Sequence, residues 1–485
     1  MNYEAVIGLE VHAQVHTRTK MYCGCPVVED TGDLPPNTCV CPVCLALPGA
    51  LPVVNRHAVA YGVAAALALN CTVHATSIFA RKSYFYPDLP KGYQISQYAH
   101  PLATDGYLLL SDDLTGERVG ITRVHLEEDT AKLYHREGQD LVDFNRAGVP
   151  LLEIVSEPEM HTAEQVLAYA TALRELLIYL GVNTGDLEKG MLRFEANISL
   201  RPEGTTALGT RTEIKNLNSF RALTRAVEYE ITRQQEVLAA GGRIAQETLG
   251  WDEGREQTYP QRSKEHAHDY RYFPEPDIPP LHVDLAWQQE IAATLPELPQ
   301  ARRQRWIAEY GIRSYDAALL AATPAIAAYF EAAVALAEAT GLSPQELANW
   351  ITGELFRLLN EHDQAIDTQR VTPRLLCELL GLCQQEIISV TAAKTVLAEI
   401  FHTGDAPQAI VERLGLAQLS DADALTTIIM EVLSANPQQV AQYLDGKEAV
   451  LGWFVGQVMG RSRGKANPTQ AHQLLQQHLE QRRSS

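Results

Sequence analysis

The sequence predicts an α+β protein, a largely antiparallel sheet lined with carboxylates and followed by all-α domains. Three observations lead there. The first 290 or so residues alternate apolar and polar side chains at period two in several separate runs. A proline-rich stretch, Pro274 to Leu285, then breaks the pattern. Beyond it, helix-start signals recur to the end of the chain.

The strands come first. Val6, Gly8, Glu10 and His12 alternate with Ile7, Leu9, Val11 and Ala13. Arg193, Glu195, Asn197 and Ser199 alternate with Phe194, Ala196, Ile198 and Leu200, and Arg211, Glu213 and Lys215 repeat the pattern. Each run has one apolar and one polar face, as in a sheet packed on one side only. Helices are expected at about His161 to Leu180 and Ser219 to Ala240, the second stopped by Gly241-Gly242. In the C-terminal part, Ser343-Pro344-Gln345-Glu346 reads as a capping box with proline at the first helical position. Asn436-Pro437 and Asn467-Pro468 read as asparagine caps of the same kind. A weaker break lies at Gly404 to Pro407. The expected domains are therefore 1–293, 294–406 and 407–485.

Bulk properties bound the function. A chain of 485 residues exceeds what one hydrophobic core supports. No secretory leader is recognisable, and the apolar stretch Val59 to Leu69 is too short to span a bilayer. A cytoplasmic location without membrane contact is the expectation. The net charge of −20 opposes non-specific binding of polyanions, although a local basic patch escapes that argument.

Of eight cysteines, five crowd Cys23 to Cys44. In a reducing compartment such crowding points to metal. Cys23-Gly-Cys25 and Cys41-Pro-Val-Cys44 form a CxC and CxxC pair suited to tetrahedral Zn²⁺, with Cys39 a rival for one position. A four-thiolate site is closed, hence structural.

The polar strand faces carry ligand-type groups. Glu10 and His12, two apart, point the same way. His125-Leu126-Glu127-Glu128-Asp129 is an acidic knot, and Glu153 sits inside an apolar run where a bare carboxylate is costly. Glu195 and Glu213 lie mid-strand. Such a set suits Mg²⁺ or Mn²⁺, and its obvious use is to clamp the phosphates of ATP. Arg81, Lys82, Lys91, Arg193 and Lys215 are the candidate cations. The chain has no GxxxxGK[ST], so it is no P-loop enzyme.

Long stretches resemble the B-subunit family of the glutamyl/aspartyl-tRNA amidotransferases. They are Gly8 to Gln14, Cys41 to Gly49, Arg81 to Tyr98, His125 to Leu133, Asp143 to Pro158, Arg211 to Phe220, Arg262 to Asp277 and Val455 to Pro468. The resemblance implies a catalytic cradle like that of glutamine synthetase and the guanidino kinases, followed by helical and tail domains. It implies ATP- and Mg²⁺-dependent phosphorylation of the side-chain carboxylate of misacylated Glu-tRNA(Gln) or Asp-tRNA(Asn). Ammonia from an amidase partner, the A-subunit, then forms the amide, and a small C-subunit completes a heterotrimer.

The family's metal-binding positions match Glu10, His12, Glu127, Glu128, Glu153, Glu195 and Glu213, and its zinc motif matches Cys23, Cys25, Cys41 and Cys44. The expected division puts one Mg²⁺ on His12, Glu128 and Glu153 and a second cation on Glu10, Glu127, Glu195 and Glu213. Lys82, Lys91, Arg193 and Lys215 are expected at ATP or phosphate, and Arg461, Arg463 and Lys465 at tRNA, with Arg482 and Arg483 nearby. One departure is Arg193-Phe-Glu-Ala-Asn197, where the family has Cys-Asp in place of Phe194-Glu195. Another is the arginine-containing Gly460 to Gly464, where lysine is usual. The rival readings are a ligase or kinase acting on a free amino acid, and a non-enzymatic RNA-binding or assembly protein.

Overall fold

The structure, a computed structural model, describes residues 2–28, 34–110, 117–263, 270–338, 341–418, 422–462 and 466–483. The chain divides into two compact units, Met1–Arg302 and Arg303–Ser485.

A nine-stranded sheet organises the first unit. Its strands are β1 (Tyr3–Gln14), β2 (Thr72–Val73), β3 (Ala103–Leu109), β4 (Arg118–Glu128), β5 (Pro150–Ser156), β6 (Leu192–Pro202), β7 (Thr212–Leu217), β8 (Glu247–Asp252) and β9 (Gln257–Ser263). Their order across the sheet is β9-β8-β7-β6-β1-β5-β4-β3-β2. Among the described residues of this sheet, the β7–β8 pair alone is parallel. The N-terminal strand thus lies in the middle, hydrogen-bonded to β5 on one side and β6 on the other.

Strand alternation sorts the side chains. Leu9, Val11, Leu126, Ile154, Phe194, Ala196, Ile198 and Ile214 are all buried in one apolar cluster. That cluster also holds the inner faces of three helices, α1 (Arg56–Ala68), α2 (Ala163–Tyr179) and α3 (Phe220–Ala239). The opposite face carries the polar partners of these residues.

The expected α2 and α3 form within a residue or two of their forecast ends. Thr162 and Gln165 make a reciprocal capping box for α2, and Ser219 caps α3 by accepting from the Ala222 amide. Gly241 takes a φ of +76°, the left-handed conformation that stops α3. The sequence marks α1 only as the apolar stretch Val59 to Leu69. Its start is set by Asn55, whose side chain accepts from the amides of His57 and Ala58.

The second unit is helical. Ser343 caps the Pro344–Trp350 helix by accepting from the Glu346 amide. Asn467 does the same for the Pro468–Arg483 helix, accepting from Thr469 and Gln470. Asn436 departs from expectation. The Pro437–Leu444 helix begins after it, but its side chain makes no cap and donates instead to the Val432 carbonyl of the preceding helix. Leu425, Ile429, Phe454, Val458, Leu475 and Leu479 share a separate apolar cluster in the C-terminal helices. Among the described residues no single helix is long and apolar enough to cross a bilayer. The Ser314–Leu320 and Pro324–Ala337 helices reach that length only as a pair bent by 118°.

Candidate active site and metal centres

The polar face of the sheet assembles the site. Register places His12 of β1 opposite Glu153 of β5 and opposite Arg193 of β6. Glu153 in turn lies opposite His125 of β4. One row therefore reads Arg193, His12, Glu153, His125 across four strands. The adjoining row sets Glu10 opposite Glu195. Backbone pairing alone brings together residues more than a hundred positions apart.

Side-chain distances tighten this into clusters. His12 Nε2 lies 3.2 Å from Glu153 Oε2, and His125 Nε2 lies 3.3 Å from the same oxygen. His125 Nε2 is also 3.2 Å from Glu127 Oε1. Glu127 accepts from the Ser96 hydroxyl at 2.6 Å and the Gln94 amide at 3.1 Å. Among the described residues of this face, three groups have donor atoms close enough to share an ion: Glu10, His12 and Glu153; His125, Glu127 and Glu153; Glu10, Glu195 and Glu213. Oxygen donors suit Mg²⁺, and imidazole adds a donor that Mn²⁺ accepts readily.

Electrostatics reflect crowded anions. Repulsion from Glu153, then burial, then Glu195 raise the Glu10 pKa to about 7. Burial works against charging His12, yet its hydrogen bond to Glu153 and the surrounding carboxylates outweigh burial and raise it to about 9. His125 follows the same balance, to about 9, with Glu153 and Glu127 as the anions. Burial and Glu153 push Glu127 upward, but Lys82 and His125 prevail and hold it at about 2. The cluster is thus a set of carboxylates facing two imidazolium rings, a role that divalent cations can also fill.

Most nearby cations are committed. Lys215 Nζ is 2.6 Å from Glu195 Oε2, and Lys91 Nζ is 2.6 Å from Glu128 Oε1. Arg193 meets Asp129 at 3.3 Å. Arg81 grips Glu275 through two 2.8 Å bonds and reaches Asp277 at 3.1 Å, which removes it from the cluster. Lys82 makes no ion pair within 4 Å among the described residues and lies 5.3 Å from the Tyr270 ring centre. Its neighbours Glu10, His12, Glu195 and Lys215 line the same open cleft.

Glu127 groups with His125 and Glu153 rather than with Glu10, Glu195 and Glu213, and Glu128 belongs to none of the three ligand groups. Glu127 and Glu128 are consecutive in β4, so they face opposite sides of the strand. Glu128 accepts from Lys91 and from the Ile95 amide at 3.0 Å, and borders a different cavity shared with Cys23 and Cys44. Of the expected trio, His12 and Glu153 lie 3.2 Å apart, while Glu128 is engaged by Lys91. His125 approaches the same Glu153 oxygen as His12. The signal for it was available, because His125 and Glu127 repeat the two-residue spacing of Glu10 and His12.

Cys23, Cys25, Cys41 and Cys44 bring their sulfurs within 4.8 Å of one another. Cys41 and Cys44 are 3.9 Å apart, close to the roughly 3.8 Å edge of a tetrahedron with Zn–S bonds of about 2.3 Å. A hydrogen bond from Cys23 lowers the Cys44 thiol to about 4 and raises Cys23 itself. Cys39 stays outside the group, its amide bonded to Asn145 and its carbonyl to the buried Lys20. The four sulfurs fit a structural zinc ion.

In the second unit, Arg461 is half exposed and lies 3.4 Å from Glu431. Arg463 and Lys465 lie outside the described residues. Arg482 and Arg483 are exposed at the end of the last helix.

Residues 5–289 match the family model described as the GatB/GatE catalytic domain, and residues 328–479 match the GatB domain model. The chain is 50% identical over 482 residues to the B-subunit of the aspartyl/glutamyl-tRNA(Asn/Gln) amidotransferase of Roseiflexus sp. (strain RS-1), covering 99% of each. The same-named protein of Thermoanaerobacter sp. (strain X514) is 50% identical over 480 residues, with 99% of this chain and 100% of the relative covered. That of Geotalea uraniireducens (strain Rf4) is 48% identical over 484 residues, again at 99% and 100%.

Proposed function

Because this chain belongs to the B-subunit family of the aspartyl/glutamyl-tRNA(Asn/Gln) amidotransferases, we propose that it amidates misacylated tRNA with ATP as the driving reactant. It works within an ATP-dependent carbon–nitrogen ligase that uses glutamine nitrogen. The substrates are Glu-tRNA(Gln), Asp-tRNA(Asn) or both. An amidase partner, the A-subunit, supplies ammonia, and a small C-subunit completes the heterotrimer. The setting is the cytoplasm.

A carboxylate resists amine attack because its oxygen leaves badly. Phosphorylation removes that obstacle. A side-chain carboxylate oxygen attacks the γ-phosphorus of ATP, the bond to the β-bridging oxygen breaks, and ADP leaves. Ammonia then attacks the acyl carbon, the bond to the phosphate oxygen breaks, and phosphate leaves while nitrogen sheds a proton.

The observation that carries this reading is Glu153 shared by His12 and His125 within a carboxylate-lined cleft. His125, Glu127 and Glu153 form one candidate Mg²⁺ set, Glu10, His12 and Glu153 an overlapping one, and Glu10, Glu195 and Glu213 a further one. Bound Mg²⁺ supplies charge neutralisation of the phosphates. The chain's own groups do the rest. Lys82 and Lys215 border the cleft where phosphate oxygens enter, and Gln94 and Ser96 fix the rotamer of Glu127. Glu128 holds Lys91 at the neighbouring wall, and Arg193 orients Asp129. Zn²⁺ on the four cysteines braces the segment around Cys23 to Cys44.

The proposed division of labour follows 1–293 for catalysis, 294–406 as a helical connector and 407–485 as the tRNA-binding tail. Arg461, Arg463 and Lys465 supply local positive charge on an acidic body. The test is amide formation on Glu-tRNA(Gln) by the chain reconstituted with its partners. Conversion to Gln-tRNA(Gln) only with ATP is expected. ATP turnover on free glutamate without amidation of tRNA would move the reading to a small-molecule ligase.

A further inference from the structure

The polar face of the sheet carries one cation with an unsatisfied buried donor that sequence reading passed over, Arg123. Arg123 lies on β4, two residues before His125, so both side chains leave the same face. Register extends the second polar row through it: Glu195 opposite Glu10, Glu10 opposite Val155, Val155 opposite Arg123. Its Nη2 is 3.8 Å from Glu153 Oε1, beyond hydrogen-bonding distance. Its Nε is buried and has no acceptor. The guanidinium carbon lies 5.8 Å from the centre of the Tyr98 ring, which itself stacks on Tyr272 at 4.3 Å.

A buried donor without an acceptor is unfavourable unless something else occupies the position during function. Tyr98, backed by Tyr272, offers its ring face to the planar group. Arg81, Lys91, Lys215 and Arg193 all have their charges engaged by carboxylates at 3.3 Å or less. Beside these, Arg123 and Lys82 are the two with no carboxylate within 3.3 Å among the described residues.

We propose that Arg123 is a catalytic residue that donates to the phosphoryl group as it passes from ATP to the side-chain carboxylate. A planar guanidinium offers two parallel donors to two phosphoryl oxygens, which a lysine cannot match. Charge on those oxygens is spread in the transition state, and a donor fixed beforehand needs no reorganisation to meet it. Glu153, close but not bonded, balances the guanidinium in the resting site without capturing it.

The inference rests on the phosphoryl-transfer reading above. The test uses the complete reconstituted complex, with acyl-phosphate formation followed by ADP release in the presence of Glu-tRNA(Gln). Arg123→Ala should slow this step about a hundred- to a thousand-fold. Arg123→Lys, which keeps the charge, should recover little. Added guanidinium should partly restore Arg123→Ala. Without turnover, Arg123→Ala should lose the preference of the site for ADP plus aluminium fluoride over ADP alone, while Mn²⁺ affinity stays within about twofold. Normal ADP release in Arg123→Ala, beside a wild type that amidates, overturns the inference. So does a fall in Mn²⁺ affinity that tracks the lost activity without guanidinium rescue, because Arg123 would then merely balance Glu153. A wild-type complex that never amidates overturns the proposed function, and this inference with it.

Discussion

His12 Nε2 lies 3.2 Å from Glu153 Oε2, although 140 residues of chain separate strands β1 and β5 at this point. The pair forms because the two residues face each other in antiparallel register, and His125 reaches the same oxygen from the next strand. Glu153 is therefore the residue on which both imidazoles depend.

Glu153→Gln should leave the fold intact and reduce amidation by at least about a thousand-fold, because an amide neither neutralises the two rings nor ligates well. Mn²⁺ affinity measured by electron paramagnetic resonance should fall with it. Full activity in this variant would remove Glu153 from the site.

Proton release gives a second check. His12 and His125 have pKa values raised from 6.5 to about 9 in the ion-free site, so both carry protons at neutral pH. A histidine that binds an ion must first lose its proton, so cation affinity should rise as pH climbs from 7 towards 9. The rise should approach about tenfold per pH unit for each proton displaced. The ion-free chain should behave oppositely. These pairings stabilise it fully below pH 6.5, and that contribution is lost as pH passes about 9. Calorimetry in buffers of different ionisation enthalpy reads the protons directly, and a titration without proton release would remove His12 as a ligand.

The two adjacent glutamates of β4 should separate. Glu127→Gln should lower Mn²⁺ affinity at least about tenfold. Glu128→Gln should leave it within about twofold, because that side chain holds Lys91 and the Ile95 amide instead. Equal losses in both variants would return Glu128 to the ion-binding set.

For the cysteine cluster, metal analysis distinguishes the neighbours. Cys44→Ser should lose the single equivalent of zinc and lower the melting temperature, whereas Cys39→Ser should keep both. Zinc loss on replacing Cys39 would contradict the geometry.

At the tail, alanine at Arg461, Arg463 and Lys465 together should weaken tRNA binding evenly across sequences. The slope of log affinity against log salt should shrink by about one for each phosphate that is no longer neutralised. Unchanged salt dependence would place the tRNA-binding surface elsewhere.

By itself, the sequence determined the chemistry of the faces. Period-two alternation put Glu10 with His12 and isolated Glu195 and Glu213 on polar faces, because neighbouring strand residues must point oppositely. Cysteine spacing marked the knuckle, since short chelating pairs hold two sulfurs close whatever the rest of the chain does. Caps at Ser343 and Asn467 marked helix starts, because those amides need local acceptors. Only the tertiary structure decided which strands lie side by side. Register brought Glu153 between two histidines and Arg123 to the edge of the cluster, and the tight alternation of β4 turned Glu128 away. Strand order in an antiparallel sheet depends on long-range packing of apolar faces, and no local spacing encodes it.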